Sequence, residues 1–169
     1  MISTFPFSNP VIRGIVRLPL IAGPGAPGNL GSMFKAMKNG LFFNIGKGTA
    51  QRSVILRSDV PAALELIASR GGIYNITDGR DLSFAELAEG IHKLTPFRRR
   101  PNLPCPVACC MALAGEALQK IFGRNMPFNF KRYRQMTQSL TFSGEKAQAE
   151  LNFVPHVVLE NLQELIQEK

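Results

Sequence analysis

An α/β fold is what this sequence predicts, on three observations. Segments of strand and helix character alternate along the chain. Residues 11–21 carry Val11, Ile12, Ile15, Val16, Leu18, Leu20 and Ile21 between turn formers, the near-continuous apolar run of an interior strand buried on both faces. The other strand candidates are short, so that first strand lacks obvious sheet partners and reads as an orphan.

The elements follow in order. After the stretch Gly23-Pro24-Gly25-Ala26-Pro27-Gly28, Asn29 is placed to cap a helix whose Leu30, Met33, Phe34 and Met37 fall on one face, with Gly40 as its stop. Residues 41–45 and 53–57 are strand candidates, and Asp59 is expected to cap a helix over residues 60–69 that tolerates Pro61 in its first turn. Gly71-Gly72 breaks the chain, residues 73–77 read as a strand, and Asp78-Gly79 turns it. Ser83 and Glu86 form a capping box ahead of an apolar stripe of Phe84, Leu87, Ala88 and Ile91. A proline-bounded loop over residues 98–104 precedes a strongly apolar helix at 107–122, closed by Gly123. Residues 140–142 suggest a short strand, and two final helices are expected, one starting near Ser143 and one carrying Leu159, Leu162 and Ile166.

Length and composition bound the function. The 169 residues suit one domain, able to bury roughly 70% of the surface its unfolded chain exposes. No apolar run approaches the length of a membrane span, so a soluble protein with no membrane partner is expected. The start MISTFPFSNP lacks the basic-then-apolar order of a signal peptide, which with only three cysteines points to the reducing cytoplasm. Cys105, Cys109 and Cys110 lie in an apolar stretch without a nearby histidine, and are expected to be buried structural thiols rather than metal ligands. The net charge of +8 is unevenly distributed: residues 1–58 contain no Asp or Glu but carry Arg13, Arg17, Lys35, Lys38, Lys47, Arg52 and Arg57. An uncompensated cationic third favours an anionic partner. Arg98-Arg99-Arg100 reads as a solvated loop, since no aromatic residues interleave for base stacking.

Two motifs matter by failing. Gly23 to Gly28 satisfies G-x-G-x-x-G, but Pro24 and Pro27 remove two amide donors from the loop that should cradle pyrophosphate. The first acidic residue is Asp59, far beyond the position that would hold a ribose hydroxyl. The stretch reads as a turn. The tyrosines, Tyr74 and Tyr133, are followed four positions later by Asp78 and Thr137, so neither belongs to a Tyr-x-x-x-Lys pair in which lysine lowers the phenol pKa. His92 and His156 read as surface or interface side chains, and the sequon at Asn75 as incidental. No catalytic residue and no metal ligand is assigned.

Five segments, taken in order, resemble the C-terminal half of NAD-dependent epimerases/dehydratases of the extended short-chain dehydrogenase family, particularly the UDP-glucose and UDP-N-acetylglucosamine 4-epimerase-like branch. They are IVRLPLIAGPG, GNLGSMFKAMKNG, GKGTAQRSVILRSDVPAAL, GGIYNITDGRDLSFAELAEGI and SLTFSGEKAQAELNFVP. The resemblance implies the last strand of a Rossmann-type sheet plus a small mixed α/β substrate-binding domain, residues 1–169 forming one such region. The N-terminal Rossmann half, which in the family carries NAD and the catalytic tyrosine, is expected to be absent. At about 30 residues per βαβ unit, something like 150 residues would precede it.

The resemblance also implies site residues. Asn29 and Leu30 match the Asn-Leu pair whose helix start approaches the nucleotide diphosphate. Arg52 matches an arginine that pairs with that diphosphate, and Arg134, with Arg132 as substitute, a second one. Pro19 matches the strand-end proline near the nicotinamide, although Leu18 and Ala22 stand where relatives often carry proline and tyrosine. Ser143 replaces the usual aspartate ahead of the penultimate helix, where it still suits a cap. The expected function is therefore a UDP-sugar-binding portion of such an enzyme, inactive alone, with NAD binding only in the full-length family. The alternatives are a non-catalytic scaffold of the same fold and a basic nucleic-acid-binding module, the latter disfavoured. The unpaired side of residues 11–21 predicts docking with a missing Rossmann half or self-association.

Overall fold

The computed structural model describes residues 13–25, 29–97, 102–123 and 128–166. The GPGAPG turn is covered only to Gly25, and the Arg98-Arg99-Arg100 loop lies outside the described residues.

The first apolar run is two strands rather than one: β1 (Gly14–Arg17) and β2 (Leu20–Ala22). Pro19, which has no N–H to give a ladder, sits in the break between them. The break changes partners. β1 pairs in parallel with β4 (Gly72–Asn75), Gly14 opposite Gly72, whereas β2 pairs in parallel with β3 (Gln51–Leu56), Leu20 opposite Val54. A three-residue β5 (Asp81–Ser83) completes the second sheet antiparallel to β3, in the order β2-β3-β5.

The interior strand is therefore β3 and not the first run. Residues 52–56 are all buried, and their alternation divides the core. Val54 and Leu56 face a cluster with Leu30, Met33 and Met37 of α1 (Asn29–Lys38) and Leu87 and Ile91 of α3 (Phe84–Leu94). Ile55 faces a second cluster with Ala63 and Ile67 of α2 (Val60–Arg70), Tyr74, and Ala147 and Leu151 of α6 (Glu145–Leu151). β1 is instead largely exposed: Ile15 is 51% exposed, and Leu18 and Ile73 are also open. Among the described residues, this apolar strand has little cover.

The remaining helices are α4 (Cys105–Phe122), α5 (Phe130–Thr137) and the one-turn α7 (Gln163–Ile166). α5 has no counterpart among the sequence expectations, because it buries no residue and so lacks an apolar stripe; Asn129 starts it by accepting from the Arg132 N–H. Residues 41–44 form no strand. The Leu41 and Phe42 amides instead bond back to the Ala36 carbonyl, closing α1 beyond Gly40, and only Ile45 makes a single bridge, to Leu103. The strand expected at 140–142 is likewise one bridge, Leu140 to Arg52.

Caps divide similarly. The Ser83/Glu86 box forms in full, and Gly123 closes α4 in the left-handed conformation. Asp59 stands before α2 but does not cap it: its carboxylate accepts from the His156 backbone N–H at 2.8 Å and contacts His156 Nδ1 at 2.7 Å. Gly144, not Ser143, is the N-cap of α6, with the Ser143 hydroxyl accepting weakly from the Glu145 N–H. The cysteines correct another expectation. Cys105 and Cys110 are exposed and Cys109 is half-buried, because among the described residues of α4 the buried ones form a narrow strip of Ala108, Ala112 and Gly115.

The Asp59–His156 contact yields a pH prediction. The hydrogen bond to Asp59, and then its charge, raises the His156 pKa above the ordinary histidine value. The stabilisation is thus fully present below about pH 6.5, the unfolded histidine value, and is lost as pH rises through the folded pKa. Urea midpoints measured across that range should fall with rising pH, and the slope should flatten in Asp59→Asn. The side chain of His156 is 71% exposed, so the effect is expected to be small and salt-sensitive.

Candidate functional site

The candidate site lies where the start of β3 meets α4 and α5. One edge of β3 at residues 51–53 is taken by β5. The segment beside Leu140 takes the other: Leu140 N donates to the Gln51 carbonyl at 2.9 Å, and Gln51 N donates to Ser139 Oγ at 3.0 Å. Buried Ser53 locks this arrangement. Its hydroxyl donates to Asp81 Oδ1 at 2.6 Å and accepts from the Phe142 N–H at 2.7 Å, so β5 and the 139–142 segment are held to the same side chain.

Arg52 projects from this clamp and is only 7% exposed. Its Nη2 donates to the Gln135 carbonyl near the end of α5, and its Cζ lies 5.6 Å from the centre of the Phe84 ring. Burial lowers its pKa from the usual guanidinium value. Among the described residues no carboxylate forms an ion pair with it. A desolvated cation held by one carbonyl and one aromatic face retains donor capacity for an anion.

A cleft of about 620 Å³ opens beside it. Lys131, Arg134 and Gln135 of α5 line it at i, i+3 and i+4, one face of the helix, followed by its C-cap residue Gln138, with Glu116 and Gln119 of α4 opposite. Arg52, Lys131 and Arg134 set three cations against the single carboxylate of Glu116, which also approaches Lys120 at 3.9 Å. The close approach of α4 to α5 needs Gly115, where any β-carbon would overlap the Phe128 carbonyl oxygen. The arrangement suits a small, multiply charged anion with hydrogen-bonding neighbours.

Of the residues expected from the sequence, Arg52 and Arg134 line this cleft together, whereas Arg132 does not. Leu30 lies fully buried in the core and serves to seat α1, and Asn29 opens that helix. Pro19 is half-buried in the β1–β2 break; neither it nor Leu30 is among the lining residues. Sequence reasoning missed Lys131, Gln135 and Gln138. Together with Arg134 they fall at i, i+3, i+4 and i+7 after Asn129, a polar face that carries no apolar stripe to mark it. No group of three or more His, Cys, Asp or Glu residues among those described is arranged to hold a metal ion.

No protein-family model matches the chain. The N-acetyl-α-D-glucosaminyl-diphospho-ditrans,octacis-undecaprenol 4-epimerase of Escherichia coli O157:H7 is 23% identical over a 161-residue alignment that covers 90% of this chain and 48% of that protein. Among solved structures, a nucleoside-diphosphate-sugar epimerase from Pseudomonas aeruginosa superposes with a TM-score of 0.62 at 23% identity, covering 90% of this chain and 46% of its own. The chain resembles the C-terminal half of an NAD-dependent sugar epimerase. MoeE5 in complex with UDP-glucose and NAD superposes on this epimerase-like half with a TM-score of 0.61 at 23% identity, over 91% of this chain and 46% of that one. The UDP-glucose 4-epimerase of Thermotoga maritima, solved with UDP-glucose, gives 0.60 at 19% identity over 90% and 43%. The chain thus spans about half the length of the relatives it matches. Among the described residues β1 pairs with β4 alone, which is consistent with a partial Rossmann-type fold.

Proposed function

We propose that this chain is the sugar-diphosphate-binding portion of an NAD-dependent sugar epimerase/dehydratase, with the ligand's diphosphate held between Arg52 and Arg134 and no redox chemistry of its own. Residues 1–169 then act as one substrate-binding region. The observation that carries this reading is buried Arg52, desolvated and without a carboxylate partner among the described residues, facing a cleft with Arg134 and Lys131. A diphosphate supplies the charge and the acceptor atoms that such a set is built to meet. Diphosphate is also the chemistry common to the UDP-sugars in the relatives' structures and to the lipid-linked sugar in the E. coli enzyme's name.

Asn29 and Leu30 enter the reading through helix α1. Leu30 anchors its first turn in the core, and its free N–H groups offer a second site of partial positive charge for the ligand. Pro19 is assigned the strand end nearest the nicotinamide of a joined catalytic half. NAD belongs to that half, and no NAD binding by this chain alone is expected.

Calorimetric titration of UDP, a UDP-sugar and NAD into the purified chain tests the proposal. UDP and UDP-sugar should bind, more weakly at higher salt, while NAD gives no heat. NAD binding with UDP silent would assign the anion site to a cofactor and overturn the reading.

A further inference from the structure

The walls of the cleft differ in sign. Arg52, Lys131 and Arg134 approach it from β3 and α5, whereas α4 presents a carboxylate, Glu116. Gly115 brings that group into place: without a β-carbon α4 closes on the Phe128 carbonyl, and the next residue lines the cleft. A diphosphate gains nothing from Glu116. It carries negative charge and acceptor atoms, so a carboxylate beside it repels it and has no proton to donate. Nor is Glu116 spent within the protein. Among the described residues its ion pair is with exposed Lys120 of its own helix, at 3.9 Å, and such i, i+4 surface pairs hold weakly. The neighbouring amide oxygens are already engaged. Gln119 Oε1 accepts from Asn129 Nδ2 at 3.3 Å, and Asn129 Oδ1 accepts from the Arg132 N–H at 3.0 Å. Glu116 is thus the strongest acceptor that the α4 wall offers to a donor on a ligand.

The remaining space has the same character. At about 620 Å³ the cleft is larger than a diphosphate fills and lies in the range that encloses a whole organic ligand. Phe130 and Leu140 are the apolar members of an otherwise polar lining, which suits a group rich in hydroxyls rather than a hydrocarbon chain next to the diphosphate. We propose that Glu116 is a specificity-determining residue of this site, favouring a diphosphate that carries the vicinal hydroxyls of a ribose over a bare one. One carboxylate has the lone pairs to accept from both hydroxyls, and an acidic residue meets a ribose hydroxyl in the same way in dinucleotide sites. Those bonds offset the repulsion between Glu116 and the diphosphate; a ligand without hydroxyls meets the repulsion alone. The inference rests on the diphosphate reading of Arg52 and Arg134 and adds what the adjoining part of the ligand must be.

Calorimetric titration of pyrophosphate, UDP and dideoxy-UDP, which lacks both ribose hydroxyls, into the wild-type chain and Glu116→Gln tests it. Wild type should prefer UDP to dideoxy-UDP at least about tenfold, because two charge-assisted hydrogen bonds are lost with the hydroxyls. In Glu116→Gln that preference should shrink to about threefold or less. The same variant should bind pyrophosphate about threefold or more tightly than wild type at low salt, since a like charge leaves the cleft. Shifts of opposite sign for UDP and pyrophosphate are what a purely structural role would not produce, because a deformed cleft weakens both. Glutamine keeps the shape of a part-exposed side chain, so the urea midpoint should not move. A wild-type chain that binds UDP and dideoxy-UDP equally overturns the proposal. So does a Glu116→Gln variant that keeps the preference or weakens UDP and pyrophosphate together. The diphosphate reading survives either result if wild type binds pyrophosphate and Arg52→Met does not. A wild-type chain silent toward UDP and pyrophosphate alike overturns both.

Discussion

Arg52→Met is expected to weaken UDP binding by at least about 100-fold while leaving the unfolding midpoint unchanged or slightly raised. Two charge-assisted hydrogen bonds to a phosphate, at roughly 1.5–3 kcal/mol each, set the scale of the loss. The stability side runs the other way. The guanidinium is buried without a carboxylate among the described residues, and burial already depresses its pKa, so the folded chain bears a desolvation cost that methionine removes at similar volume. What methionine forfeits is the cation–aromatic contact with Phe84 and the bond to the Gln135 carbonyl. Arg52→Lys keeps the charge but loses the planar fork, and should fall between wild type and Arg52→Met in affinity. Calorimetry and urea titration on the three proteins measure both quantities. If Arg52→Met unfolds early and binds UDP normally, Arg52 is a structural residue and the diphosphate reading fails.

Asp78→Ala should destabilise the chain by about 2–4 kcal/mol, the largest stability effect expected of a single polar substitution here. The buried carboxylate accepts from the Arg80 N–H at 3.0 Å and from the buried Val158 N–H at 3.1 Å, while its own N–H donates to the Val54 carbonyl at 2.8 Å. It thereby ties the turn after β4 both to the interior strand and to the C-terminal segment. That segment places Val158 and Leu162 in the larger core cluster. Alanine leaves the Val158 N–H buried without a partner and loosens two core side chains with it. Burial raises the Asp78 pKa, so part of its bonding strength is offset by desolvation of the charge. Asp78→Asn still offers an oxygen to Val158 and should recover a portion of the loss. A urea midpoint for Asp78→Ala equal to wild type would show that Asp78 does not hold this junction.

Local chemistry made a good part of this architecture readable. The apolar spacing of Leu30, Met33 and Met37, the Ser83/Glu86 box and the Gly123 stop each act within a few residues, and each is found in place. The errors share a cause. Ranking the strands by apolar run length made residues 11–21 the interior strand, but Pro19 divides the run, and β3, with Arg52 and Ser53 in it, is the strand covered on both sides. A buried arginine and serine lower a segment's apparent hydrophobicity even where partners 28 to 89 positions away satisfy them. The cysteines fail the other way. α4 is apolar on nearly every side, a pattern that reads as burial, yet among its described residues only the alanine–glycine strip is buried.

By itself the sequence determined the α/β class, the helix starts and stops, the cationic first third and the absence of a Tyr-x-x-x-Lys pair. All of these depend on residues close together in the chain, where spacing alone sets which side chains share a face. Only the tertiary structure decided that Arg52 and Arg134, 82 positions apart, line one cleft. It also decided that Asp59 serves His156 rather than its own helix, and that the outer side of α4 lacks cover. These are questions of which surfaces meet. The pairing of β2 with β3 and the packing of α4 on α5 answer them through contacts between residues far apart in sequence, whose energies no local pattern records.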